Sequence, residues 1–247
     1  MKEEQFHIES NSPLLFTIKT SSEKIYKVLI SDDLFESHTC TCPVYKAKGM
    51  CHHIEAVLNR VPEKKEEDII YLDVETQLSA NEVGGWNNIE DMKVAVVVIY
   101  SSKEDKFEHY SEENLMLLVN KLQKANLIVG FNIKRFDYRV IQPYIPDFSL
   151  SSLPAYDILH EVYKKLGHRI SLNALAKTTL SVEKSADGLQ SIEWFKNGEI
   201  EKIIEYCKQD VTITRDLFLY GRKYGYLKYY DKKQDKIRTV NLDFPSI

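Results

Sequence analysis

The fold of this chain is constrained first by its cysteines: three of the four, Cys40, Cys42 and Cys51, fall within a dozen residues, beside His52 and His53. Thiols that merely fill a core do not bunch in this way. The run CTCPVYKAKGMCHH offers thiolate and imidazole ligands at close spacing. In a chain that reads as cytosolic, clustered cysteines point to a metal site rather than to disulfides. A segment organised by a metal needs little core of its own, so 247 residues should divide unequally, into a small module and a medium-sized domain.

The flanking pattern fits such a module. Residues 14–30, LLFTIKTSSEKIYKVLI, alternate apolar and polar residues around Ser21 and Ser22, the signature of a β-hairpin. After the cysteines, Ile54, Val57, Leu58 and Val61 recur at helical spacing. The charged run that starts at Pro62 reads as a break. We therefore expect a ββα zinc-binding module at 1–62, a linker at 63–67 and a larger domain at 68–247.

In the larger domain, IIYLDVET and KVAVVVIYSS read as strands with continuous apolar cores, and a third short strand is expected over Lys106–Tyr110. An amphipathic helix over EENLMLLVNKLQKA leads into the buried strand NLIVGFNI. FDYRVIQPYI is a helix stopped by proline, and AYDILHEVYKKLG gives another strand and helix. SLNALAKTTL is a further helix, GEIEKIIEYCKQDVTITRDLFLYGRKYG forms one or two long helices, and the tyrosine-rich tail forms a hairpin. Three strands, then alternating helix and strand, then helices, make an α/β fold with a mixed sheet flanked by helices.

Composition, 43% hydrophobic and 28% charged, is that of a globular protein, and no segment approaches the roughly 18 to 20 apolar residues of a membrane span. The start, MKEEQFHIESNS, lacks the basic and apolar stretches of a secretory signal, so a cytoplasmic protein is expected. The net charge of −4 argues weakly against a nucleic-acid partner. Carboxylates gathered at a cation site would themselves supply negative charge, however, so charge does not decide.

Asp73 and Glu75 in YLDVET lie two apart on a strand and so share one face. Two carboxylates that close repel unless a cation sits between them. Asp137 follows a buried strand, and Tyr206 and Asp210 lie four apart on one helix face. Each alone has an ordinary reading, such as a solvated strand end, a helix cap or a helix-surface pair.

Together and in order, LDVET, FNIKRFD and YCKQDVTITRDLF resemble the three motifs of the DEDD exonuclease superfamily, over about residues 68–220. Tyrosine at 206 places the likeness in the DEDDy branch, and the wording is most similar to family B polymerase proofreading domains. The resemblance implies an RNase H-like fold and a 3′-to-5′ exonuclease. It implies Asp73, Glu75, Asp137 and Asp210 as ligands of two Mg²⁺ or Mn²⁺ ions roughly 3.5 to 4 Å apart. Tyr206 would orient the attacking water, since a phenol of ordinary pKa near 10 is a poor base at neutral pH. Thr76, Gln77, Asn132 and Phe136 are the expected substrate contacts, although Phe136, like Phe131, serves equally well as core. Arg169, Lys177 or Lys184 could follow phosphates, or simply form a solvated face.

The pattern C-x-C, eight residues, C-x-H, with strands before and a helix after, resembles the SWIM zinc finger. It implies one structural zinc on Cys40, Cys42, Cys51 and His53, with His52 the competing fourth ligand. SWIM modules imply a nucleic-acid or protein partner, such as a helicase or a replication or repair factor. Cys207, inside the third motif, reads as a small buried residue. Nucleic acid is thus the expected partner, DNA favoured over RNA. The rival readings are a binding module with an inactive nuclease site, an endonuclease and an exoribonuclease.

Overall fold

Described for residues 7–11, 14–30, 38–59, 67–182 and 188–245, the computed structural model divides into two units, Met1–Lys65 and Glu66–Ile247. The expected linker at 63–67 lies, apart from Glu67, outside the described residues.

The first unit is a four-stranded antiparallel sheet in chain order, β1 (His7–Ser10), β2 (Leu15–Lys19), β3 (Ile25–Leu29) and β4 (Thr39–Cys40), followed by helices α1 (Pro43–Lys48) and α2 (His52–Leu58). The anticipated hairpin is β2–β3, with Ile18 opposite Tyr26. The unit is richer than ββα. Strands β1 and β4 are too short to show alternation, and α1 buries no residue and so leaves no helical stripe. That helix is set by its ends instead. Cys42 Sγ accepts from the Tyr45 N–H at the start, and Gly49 at φ 72° closes it. Among the described residues its buried core is Ile18, Val28, Ile30, Ile54 and Val57 with three cysteines.

The second unit is built on a five-stranded mixed sheet in the order β7-β6-β5-β8-β9. Its strands are β5 (Ile69–Thr76), β6 (Val94–Ser101), β7 (Lys106–Tyr110), β8 (Leu127–Gly130) and β9 (Ala155–Asp157). β5, β6 and β7 pair antiparallel, whereas β5–β8 and β8–β9 are parallel. Helices α3 (Leu115–Leu122), α4 (Asp137–Ile141), α5 (Ile158–Leu166), α6 (Leu172–Leu180), α7 (Gly188–Lys196) and α8 (Ile200–Tyr224) flank it, and β10 (Tyr226–Asp231) pairs with β11 (Lys236–Asn241) as the terminal hairpin. This is the expected RNase H-like α/β architecture. Helix α7 has no counterpart among the expected elements.

Alternation along β5 decides where the chemistry goes. Ile70, Leu72 and Val74 pack on one face with Leu115, Leu118 and Leu122 of α3 and Val140 and Ile141 of α4. Ile69 and Tyr71 pack on the other with Val162 of α5, Leu175 of α6 and Ile203, Cys207, Val211 and Leu217 of α8. Positions 73 and 75 continue the second set, so both carboxylates point beneath α8. Because each face contributes fully buried side chains, a truncation such as Leu217→Ala should cost about 2 to 5 kcal/mol.

Candidate nuclease site and zinc cluster

Asp73 and Glu75 of β5 and Asp210 of α8 converge until their ligand oxygens lie within 4.8 Å of one another. Glu75 is 9% and Asp210 5% exposed. Three carboxylates so close, two of them shielded from water, repel strongly unless a cation neutralises them, and an all-oxygen donor set suits a hard divalent ion. The residues present therefore fit a divalent metal.

Two neighbours hold these carboxylates in place. Ser191 of α7, itself buried, donates a 2.5 Å hydrogen bond from its hydroxyl to Glu75 Oε2. Cys207 of α8 donates from Sγ to Asp73 Oδ2 at 3.3 Å and lies 3.4 Å from the Asp73 carbonyl oxygen. Complete burial, and then the charges of Asp73 and Glu75, push the Cys207 thiol well above its ordinary range, so it keeps its proton and remains a donor.

Asp137, the fourth expected carboxylate, stands outside the tight group of three. It is the first residue of α4 and only 2% exposed. Burial, reinforced by the charges of Asp157 and Glu75, raises its pKa well above the ordinary carboxylate range, although the backbone N–H groups of Asp137 and Val74 pull the other way. The Glu75 charge and the Val74 N–H both act on it, so it lies near the end of β5.

Tyr206 lies one turn before Asp210, 5% exposed, with its ring edge-on to Trp194 of α7 at 6.0 Å. It borders an open cavity of about 620 Å³ shared with Phe107, Trp194, Lys202, Lys208 and Gln209. Thr76 and Gln77 work within the fold: Thr76 Oγ1 donates to the Leu78 carbonyl, and Gln77 Nε2 to the Val94 carbonyl. Asn132 and Phe136 line a separate cavity of about 260 Å³. Phe131 packs into the core on the α8 face, and Phe136 packs against the opposite one. Arg169 donates to Asn132 Oδ1 at 3.0 Å. Lys177 lies exposed on α6, and Lys184 falls outside the described residues.

The turn that carries Asn132 has its own anchor. A Cβ on Gly130 would come within 2.7 Å of the Ile133 Cβ, so only glycine lets the chain fold back here, and Asn132 takes φ 71°. Asp157 fixes the turn by accepting the Asn132 and Lys134 N–H groups, while its Oδ1 also caps α5 through the His160 N–H. An aspartate directly before a helical pattern is a cap signal, and on that ground Asp157 could be found in the sequence.

In the first unit, Cys40, Cys42, Cys51 and His53 place their ligand atoms within 4.8 Å of one another. His53 lies against the Tyr26 ring, at 4.7 Å between centroids. His52 turns outward to Glu55, 3.0 Å away, with its side chain 86% exposed. Burial pushes the Cys40 thiol up to about 12. Burial acts on Cys42 as well, but the Tyr45 N–H and the neighbouring thiols outweigh it and lower that group. Three buried thiols and one half-buried imidazole make a four-ligand set that suits a structural zinc.

Residues 70–220, more than half of the chain, match the sequence profile of the RNase_H superfamily. The chain belongs to the RNase H superfamily. Residues 26–62 match the SWIM zinc finger, so this RNase H superfamily protein carries a SWIM finger in its first unit. No curated protein sequence matches it. The solved structures matched include the family B DNA polymerase from the hyperthermophilic archaeon Pyrobaculum calidifontis, at 15% identity and a TM-score of 0.47, covering 64% of this chain and 24% of the polymerase. Superfamily membership and the carboxylate cluster together support a nuclease-type function. Among the described residues no helix is long and apolar enough to cross a membrane.

Proposed function

We propose that this protein is a 3′-to-5′ exonuclease acting on DNA, on single strands or recessed 3′ ends, in repair or replication. The observation that carries the reading is the convergence of Asp73, Glu75 and Asp210 on the RNase H sheet, with Tyr206 one helical turn before Asp210 at the edge of an open cavity. Asp73, Glu75, Asp137 and Asp210 would hold two Mg²⁺ or Mn²⁺ ions. Those ions would supply Lewis acidity at the scissile phosphate and a bound water of lowered pKa. Tyr206 orients the attacking water through its hydroxyl. Ser191 and Cys207 keep Glu75 and Asp73 aimed inward. The zinc unit presents substrate or recruits a protein partner such as a helicase.

The test is metal-dependent hydrolysis of an oligodeoxynucleotide by the full chain. Asp210→Ala should abolish it, and Tyr206→Phe should leave a fraction, because a positioned water is lost but the ligands remain. Undiminished cleavage by Asp210→Ala would sink the assignment.

A further inference from the structure

The loop that leaves the Glu75 end of β5 for β6 carries the most exposed large aromatic among the described residues, Trp86, at 67%. An indole in water is costly unless something uses its face, yet this loop is firmly held. Gly85 N–H donates to the Ala80 carbonyl, the Asn88 amide to the Val83 carbonyl, and Ile89 and Met92 are buried. Arg139 of α4 clamps it with two hydrogen bonds to Glu90 and one to the Asn87 carbonyl. Gly84 and Gly85, at φ 82° and 124°, make the turn that lifts Trp86 outward. A rigid loop that presents an aromatic face is built for contact.

What surrounds Trp86 defines the contact. Trp86, Ile89, Asn132, Arg135, Phe136 and Arg169 line the cavity of about 260 Å³. Among the described residues neither Arg135 nor Arg169 faces a carboxylate within ion-pair distance, whereas Arg139 beside them is committed to Glu90. Two guanidinium groups without acidic partners, next to an exposed indole, match a chain of phosphates carrying flat bases. The cavity falls below the roughly 300 to 1,000 Å³ of sites for drug-sized ligands, which suits one nucleotide and not a duplex. Trp86 and Phe136 stand 6.4 Å apart at 58°, so they do not form a parallel sandwich, and the outer face of Trp86 is the platform.

We infer that Trp86, with Arg135 and Arg169, forms a strand-holding cleft that stacks one unpaired base on the indole and binds its flanking phosphates. The inference rests on the nuclease reading for its ligand class. It adds that the strand must be unpaired where it crosses this loop, because a base within a duplex has both faces covered by its neighbours. Asn132 and Phe136 form the floor of the cleft, and Trp86 supplies the stack.

Binding tests this without cleavage. The full chain in EDTA is titrated with oligothymidylate and with a blunt DNA hairpin, following tryptophan fluorescence and the anisotropy of labelled DNA. Quenching by the single strand is expected, with Trp86→Ala weakening its binding by about 5- to 150-fold and Trp86→Phe by less. Arg135→Ala and Arg169→Ala should each lower the salt dependence by about one phosphate contact. Trp86→Ala binding within about twofold of wild type, or hairpin bound as tightly as single strand, would overturn the cleft. Cleavage of linear DNA by the wild type in Mg²⁺ separates the two readings. A wild type that cleaves no DNA but binds single strands through Trp86 removes the catalytic reading and supports the cleft.

Discussion

The hydroxyl of Ser191 donates a 2.5 Å hydrogen bond to Glu75 Oε2 across 116 residues of chain. Helix α7 thereby fixes the orientation of a carboxylate on the central strand. Groups that orient metal ligands are worth about 10- to 100-fold in metal affinity or activity. Ser191→Ala should therefore raise the Mg²⁺ concentration for half-maximal activity by about that factor, with Ser191→Thr restoring much of it. A Mg²⁺ titration of initial rates checks this, and superimposable curves for wild type and Ser191→Ala would contradict it.

Asp137 ties stability to pH with an unusual sign. Its pKa is raised in the folded protein by burial and by the neighbouring carboxylates. Between the ordinary carboxylate range near 4 and that raised value, the folded state binds more protons than the unfolded one. Metal-free stability must then fall as pH rises through this window. Asp137→Asn should melt higher than wild type at neutral pH in EDTA while losing activity, and the gap should close at acidic pH. Equal melting temperatures at neutral pH would show that Asp137 carries no such penalty.

Zinc should be essential to the first unit, in which, among the described residues, only five aliphatic side chains and three cysteines form the buried core. Chelation, or Cys51→Ala, should collapse the amide NMR dispersion of the described residues of the first unit while leaving that of the second intact. Loading must also weaken as pH falls, because zinc binds thiolates and Cys40 is pushed up to about 12 without it. Purified protein with no zinc and a folded first unit would refute the structural role.

The parts of the site that follow from local periodicity are legible in the sequence. Asp73 and Glu75 share a strand face by alternation, and Tyr206 and Asp210 share a helix face by spacing. Adjacent residues on a helix point about 100° apart, so one of His52 and His53 must turn away, and the ligand spacing already favours His53. The parts that depend on packing between distant elements are not legible. Ser191 is one serine among many, and nothing local to QSIEWF says that it reaches Glu75. Cys207 reads as a small buried residue, as it is, but its contact with Asp73 exists only because α8 crosses β5. Thr76 and Gln77 adjoin the first motif in sequence, but that their side chains donate to the Leu78 and Val94 carbonyls depends on the path of the chain after the β5 bulge.

The central claim is direction-specific hydrolysis from a free 3′ end. With Mg²⁺ or Mn²⁺, 5′-labelled linear single-stranded DNA should yield a ladder that shortens one nucleotide at a time, absent with Asp73→Ala, while circular DNA of the same sequence stays intact. Cleavage of the circle, or release of the 5′ label as the first product, would contradict the account.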